Sequence, residues 1–330
     1  MKKSLLALAV LGAFAGAATA QSSVTIYGSV DLAVAKSNGG TAGNNGGPAG
    51  ASKAWTLQQS NGNRLGFRGN EDLGGGLSAQ FQIEHRFTAD DGNAANPFWA
   101  GRSYVQLTSA SAGSLYLGRE YTPAFWPAVK SDPFGWDGVG QLGSYMWAGY
   151  LSPANPNGGV RSSNTVGYKS PKMGGLTFNG AVGLSETTGA GRNNGFNVEY
   201  GAGPIYAAMG YEKITDGAAD GQGVVNFALH YDFGMAKVMG YFAKANILAG
   251  GDTDSKFYSI AALAPMGSGN LKVAYGRLDA DVDAVDRKKF AIGYDHRLSK
   301  RTNVYADLGL TRAPGRTNNN TFALGVKHTF

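Results

Sequence analysis

The chain has 330 residues, of which 43% are hydrophobic, yet its mean hydropathy is −0.20, too low for a membrane protein built of helices. Cysteine is absent, which excludes disulfides, zinc–thiolate sites and cysteine nucleophiles. The formal charge is +6; with Lys2 and Lys3 set aside, 29 basic residues become 27 against 23 acidic ones, an excess too small to point to nucleic acid.

The chain opens on Lys2 and Lys3, an apolar stretch from Leu5 to Ala18, and the small-residue site Ala18-Thr19-Ala20. This is the pattern of a secretory leader over residues 1–20, exported through the Sec pathway and cleaved after Ala20. As a membrane helix the stretch falls short of the roughly 20 residues a bilayer needs. No other apolar run of that length follows. Only helices and closed barrels satisfy backbone groups in lipid, so the rest of the chain is either soluble or a barrel.

Period-two alternation decides between them. Val24, Ile26, Gly28, Val30, Leu32 and Val34 fall on one face of the first strand, and Thr25, Tyr27, Ser29 and Asp31 on the other. At the far end Phe322, Leu324, Val326, His328 and Phe330 alternate with Thr321, Ala323, Gly325, Lys327 and Thr329. Between them, tight turns at 72–76, 110–113, 171–175, 201–204, 232–234, 265–269 and 298–300 alternate with longer loops. These run over 36–51, 90–100, 120–159, 186–193, 215–222, 248–254, 278–286 and 313–319. Seven turns and eight loops join sixteen strands, and short turns on one side with long loops on the other are the mark of an outer-membrane barrel.

A soluble β-sandwich also has short alternating strands. Against it stand segments of about nine to twelve residues, the length of a tilted span. Tyr150, Tyr168, Tyr200, Tyr211, Tyr231, Tyr275 and Tyr294 lie on the apolar sides, as in interfacial girdles. The opposite faces carry Arg64, Arg68, Gln80, Glu84, Arg102, Glu199, Asp295 and Asp307, which a packed core would bury at several kcal/mol each. The expected fold is an all-β, 16-stranded antiparallel transmembrane barrel over residues 21–330.

Several stretches carry a resemblance: Ser23-Val24-Thr25-Ile26-Tyr27-Gly28, the run from Arg64 to Leu77, Leu117-Gly118-Arg119, Asp132-Pro133-Phe134-Gly135, and the closing Gly325-Val326-Lys327-His328-Thr329-Phe330. Together they resemble the Gram-negative general diffusion porins, particularly the β-proteobacterial branch, from end to end of the mature chain. The resemblance implies a multi-pass homotrimer in the cell outer membrane, among lipid and lipopolysaccharide. It implies passive diffusion of small hydrophilic solutes and an inward-folded third loop. The terminal Phe330 matches the residue that the barrel assembly machinery reads. By motif, Arg64, Arg102 and Arg161 match a basic cluster on the family's pore wall, and Glu84 a nearby acid. The branch tends towards anions.

The longest irregular segment, about 120–160, sits third among the loops and is rich in aromatic residues, too rich for a disordered tether. Folded into the lumen, it sets the constriction. Period two turns Arg64 and Arg68 inward, opposite in facing to Leu65 and Phe67; it puts Glu84 on a face with Gln80, Gln82 and Arg86, and gives Arg102 and Arg161 polar neighbours. The loop region adds Glu120, Asp132 and Asp137 against Lys130. Facing basic and acidic clusters set a transverse field, and a mild anion preference is expected. The bland reading of each arginine is a solvated lumen residue or a local ion pair. Trp126, Trp136 and Trp147 either anchor the loop or stack sugar or aromatic-acid solutes, which would make a substrate-specific channel of the same fold.

No cofactor or metal is implied. His85, His230, His296 and His328 lack metal spacing. Asp279, Asp281, Asp283 and Asp286 lack the sixth-position glycine and terminal glutamate of a calcium loop. No nucleophile-elbow, P-loop or H-E-x-x-H motif occurs. Barrel lipases and proteases need a converging Ser/His or Asp/His set at the rim, which alternation does not assemble here, so no enzyme is expected. A closed structural or adhesive barrel is the third reading.

Overall fold

In the first strand Val24, Ile26, Val30 and Val34 are exposed while Ser29, Asp31, Ala33 and Ala35 are buried. That inversion, apolar out and polar in, recurs along the chain: Leu229 is 63% exposed and Ile260 60%. It is the pattern of a sheet whose outer face meets lipid. The computed structural model describes residues 23–43, 53–147, 159–189, 191–247, 253–283 and 286–330. The leader over 1–20 with its cleavage site, and Tyr150, lie outside them.

The strands are β1 Ser23–Ser37, β2 Trp55–Gln58, β3 Arg64–Gly74, β4 Leu77–Arg86, β5 Ser103–Ser109, β6 Gly113–Tyr121, β7 Arg161–Lys169, β8 Leu176–Gly183 and β9 Arg192–Ala202. They continue as β10 Ile205–Thr215, β11 Gly223–Asp232, β12 Lys237–Ile247, β13 Thr253–Met266, β14 Gly269–Ala280, β15 Arg287–Arg297, β16 Thr302–Arg312 and β17 Asn319–Thr329. From β3 to β17 each strand pairs antiparallel with the next in sequence. The ring closes on β1, whose Ser29–Ser37 half pairs with β17 and whose Ser23–Ser29 half pairs with β3. β2 takes the remaining places beside Ala33–Lys36. β2 and β3 thus share one wall position, and seventeen segments build sixteen staves.

The break between them has a cause. Residues 59–63 leave the wall for an inward carboxylate: the Ser60 N–H and the Tyr305 hydroxyl both donate to Asp31 Oδ1 at 2.7 Å, and the Asp31 N–H donates to Asn63 Oδ1 at 2.6 Å. The seven tight turns fall where expected. Gly203 and Gly267 open two-residue turns with φ of 55° and 58°, a left-handed backbone that hairpins of this length require. At this turn end Tyr168 and Tyr294 donate to the Ala112 and Met266 carbonyls at 2.7 and 2.9 Å, wet tips on rings facing lipid.

Inside, rings lie across glycines of the next strand. Tyr27 pairs with Gly66, Tyr116 with Gly167 and Tyr305 with Gly325, and a Cβ on any of these glycines would come within 2.1–2.3 Å of the ring. Gly325→Val displaces Tyr305 from Asp31 as well as overfilling the wall. It is expected to cost about 1–3 kcal/mol, read as a lower urea midpoint of the refolded barrel; an unchanged midpoint would remove the ring–glycine contact from the account.

Candidate functional site

Arg64 begins β3, Arg86 ends β4, Arg102 immediately precedes β5 and Arg161 begins β7. Register brings these loop-side ends level: Arg64 pairs with Arg86 and Tyr121 with Arg161. The four guanidiniums line one cavity of about 500 Å³ together with Glu84. Across it stand Phe125, Trp126, Trp136 and Asp137 from the segment between β6 and β7. Alternation alone does not carry to this rim. A bulge at Gly118/Glu120 and the positive φ of 54° at Asn164 interrupt it.

The wall pairs some of its charge. Arg86 meets Glu84 at 2.8 Å. Glu120, fully buried, takes the Arg102 Nε–H at 2.8 Å, makes a second contact to the same guanidinium, and lies 3.3 Å from Lys169. Arg64 donates to Asn61 at 3.0 Å and Arg161 to the Tyr121 hydroxyl at 2.7 Å. Neither has a carboxylate within 4 Å among the described residues. Arg161 also lies 4.4 Å from the Tyr121 ring centroid, and Tyr121 stacks on Phe125 at 4.7 Å. Arg68 sits apart, in a second recess with Gln80, Gln82 and Tyr104, 5.4 Å from the Tyr27 ring.

The third loop carries two short helices, α1 Phe125–Lys130 and α2 Gly143–Met146. It packs on the inner side of β9–β11 and β13–β16. Asn197 and Asn226, both buried, donate to the Pro123 and Ala124 carbonyls at 2.8 Å. Ser131 meets His230 at 2.9 Å, Lys130 pairs with Glu199, and buried Glu212 accepts the Gly159 N–H where the chain returns. Lys272 and Lys289 lie 4.6 and 5.8 Å from the Phe134 and Tyr145 rings. At the tip Gly138 packs on Ser60 and Asp137 lines the cavity beside Asn61, so the loop reaches the inward segment 59–63.

The sequence-chosen residues therefore separate. Arg64, Glu84, Arg102, Asp137 and Arg161 converge on the cavity, with Glu120 behind Arg102. Asp132 is turned into the loop, where its buried carboxylate accepts the N–H groups of Phe134, Trp136 and Leu142 at 2.9–3.2 Å. The Asp-Pro-Phe-Gly turn uses it to hold the positive φ of 67° at Trp136. Trp126 and Trp136 reach the cavity; Trp147 is buried against Trp136 at 5.8 Å. Burial pushes the carboxyls of Asp132 and Asp137 above the usual range, at Asp132 against the pull of its N–H donors.

Sequence reasoning left Arg86 out of the constriction, although period two put it on the Glu84 face. It also missed a lumen ion cluster in which Lys272 lies 3.0 Å from Asp295 and 3.1 Å from Asp307. Lys272, Gly293 and Asp307 share one row across β14–β16, which only the register reveals. Three of the four acids of 279–286 are spent locally: Asp279 pairs with Arg277, Asp281 accepts the Asp254 N–H and Asp286 that of Ala280.

A closed antiparallel barrel, apolar outside and lined within by charge around a restricted cavity, is a transmembrane channel. The Gram-negative porin family matches residues 7–316. The chain is 37% identical to outer membrane porin protein 32 of Delftia acidovorans, over 94% of this chain and 90% of that one. It is 30% identical to an outer membrane porin of Bordetella pertussis, over 93% of each. Among solved structures, the anion-selective porin of Comamonas acidovorans superposes with a TM-score of 0.80 at 28% identity, over 94% of this chain and all of that one. The chain belongs to the Gram-negative porin family. It is an outer-membrane channel for passive diffusion, and not an enzyme.

Asn197→Ala with Asn226→Ala removes both side-chain donors to the loop carbonyls. Each buried carbonyl left unpaired costs about 1–3 kcal/mol, so single-channel records are expected to gain fluctuations between current levels. Records as quiet as wild type would mean that the aromatic packing alone holds the loop.

Proposed function

We propose that this porin passes small hydrophilic solutes with a preference for anions, set by the guanidinium cluster at its constriction. One observation carries the reading. Four guanidiniums and Lys169 face the carboxylates of Glu84, Glu120 and Asp137, and Arg64 and Arg161 have no carboxylate within 4 Å among the described residues. An excess of fixed positive charge in a narrow passage raises the local anion concentration. The anion-selective porin of Comamonas acidovorans supports the same direction. A slot with arginines on one side and Trp126 and Trp136 on the other also suits planar aromatic acids, a second reading of the same site.

The family resemblance brings a homotrimer and recognition of Phe330 by the barrel assembly machinery. Phe330 exchanges two backbone hydrogen bonds with Gly28, at 3.0 and 3.1 Å, so the residue proposed as the assembly signal is also a rung of the closure. Light scattering of the detergent-solubilised protein tests the trimer by its mass.

Zero-current potentials across a KCl gradient test the preference. Wild type is expected to reverse towards the chloride potential, and Arg64→Ala with Arg161→Ala to move at least halfway to zero. Cation selectivity, or no shift in the double variant, would sink the assignment. The raised carboxyl of Asp137 gives the pH dependence its sign. As pH falls it takes up a proton sooner than an ordinary carboxylate, the cavity loses a negative charge, and anion preference rises. Asp137→Asn is expected to show the acid-side preference already at neutral pH and to flatten the pH profile; a profile as steep as wild type would put the titration elsewhere.

A further inference from the structure

Arg68 faces the lumen but stands outside the constriction. Register sets it on one inward row, Thr25–Arg68–Gln82–Tyr104, across β1, β3, β4 and β5. It follows Arg64 by four residues on β3, so at about 3.3 Å per residue it stands roughly 13 Å along the strand towards the 72–76 turn. Short turns mark the periplasmic end of such a barrel. A solute that has passed Arg64 therefore meets Arg68 on its way out. The recess around Arg68 adjoins the constriction cavity, since Gln82 lines both.

The recess holds about 280 Å³, and among its nine lining residues Arg68 alone carries a charge. Arg68 is exposed. Its guanidinium has no hydrogen-bond or carboxylate partner among the described residues, and lies 5.4 Å from the centroid of the Tyr27 ring. That ring is fixed at both ends. It lies across Gly66, and its hydroxyl donates to Glu84 at 3.1 Å and accepts a hydrogen bond from Gln82. The amides around it are fixed by one another. Tyr104 donates to Gln82 at 3.2 Å, Gln106 to Gln80 at 3.0 Å and Gln80 to Asn70 at 2.9 Å. Each amide still has N–H groups or lone pairs to spare. The acids above and below on this wall are engaged elsewhere: Glu84 with Arg86, and Asp72 with the Gly74 N–H at 2.9 Å.

An unpaired guanidinium fork takes a carboxylate in two parallel hydrogen bonds. A belt of fixed amides and hydroxyls beside it takes the hydroxyl groups of the same solute. Exposure to lumen water keeps such binding weak, as transport requires, because a solute must leave as readily as it enters. We propose that the recess at Arg68 is a low-affinity site for hydroxylated carboxylates of the sugar-acid class, on the periplasmic side of the constriction. The inference rests on the porin reading for the lumen and its sidedness, but not on the guanidinium cluster.

The test is saturation-transfer NMR of gluconate with the refolded full-length protein in detergent micelles. Hexanoate, a carboxylate without the hydroxyls, and glucose, with hydroxyls but no carboxylate, are the comparisons. Wild type is expected to bind gluconate about tenfold more tightly than either. Gluconate also meets the constriction, so the decisive background is Arg64→Ala with Arg161→Ala. Binding should persist there and fall about tenfold when Arg68→Ala is added, the usual weight of a hydrogen bond to a charged group. Arg68→Lys, which keeps the charge and loses the fork, should fall between. Asn70→Ala with Gln80→Ala should weaken gluconate and leave hexanoate unchanged. Equal affinity for gluconate and hexanoate, loss of binding in the Arg64 and Arg161 variant, or undiminished binding without Arg68 would overturn the proposal. Conductance separates the two readings: a wild type that does not conduct refutes the porin reading first, whereas a conducting wild type whose gluconate affinity ignores Arg68 refutes this site alone.

Discussion

Every stave of this protein depends on the pairing of its backbone groups, because lipid offers no other partner for them. β1 discharges that requirement for the whole ring. Its upper half pairs with β17 and its lower half with β3, and the bonds between Gly28 and Phe330 complete the seam. Closure forces alternation, since each strand has one face in lipid and one in the lumen. Alternation in turn allows an interior rich in charge. Asp31, Glu84, Lys272 and Asp307 are each shielded inside the barrel, yet the same barrel exposes Val24 and Ile26 outside.

The lumen is organised by buried acids of two kinds. Asp31 and Asp132 act on backbone: the first draws residues 59–63 off the wall, and the second winds the Asp-Pro-Phe-Gly turn of the third loop. Glu84 and Glu120 act on guanidiniums, fixing Arg86 and Arg102 in place. Their removal would leave buried positive charge, at a cost of about 3–5 kcal/mol for a pair of this kind. The inward segment and the loop tip then meet at Ser60 and Gly138, so one structural carboxylate and one loop turn bring these two inward segments together. Arg64 and Arg161 are left without a carboxylate partner among the described residues.

Much of this was legible in sequence. Period two in Ser23–Ala35 and in the last strand, with the turn and loop asymmetry, sufficed for a sixteen-position barrel. Arg64 and Glu84 lie on regular strand and Arg102 one residue outside it, so period two reaches all three, and they meet at the one cavity. The failures occur where periodicity stops. Asp132 looks like one more lumen acid until its three N–H donors are seen, and nothing in the spacing of residues distinguishes a turn-capping carboxylate from a solvated one. The split of the second stave into β2 and β3 follows from Asp31, thirty residues away in sequence, and so escapes any local pattern. The Lys272–Asp307 pair needs register, which alternation leaves undetermined by even numbers of residues.

A water-filled passage with fixed charge on its wall makes solute flow a matter of diffusion through electrolyte. Single-channel conductance of the refolded wild type, followed as KCl is raised, tests that most directly. Ohmic steps that grow in proportion to salt are what a general diffusion pore must give. Conductance that saturates at low salt, or a reconstituted protein that passes no current, would contradict it.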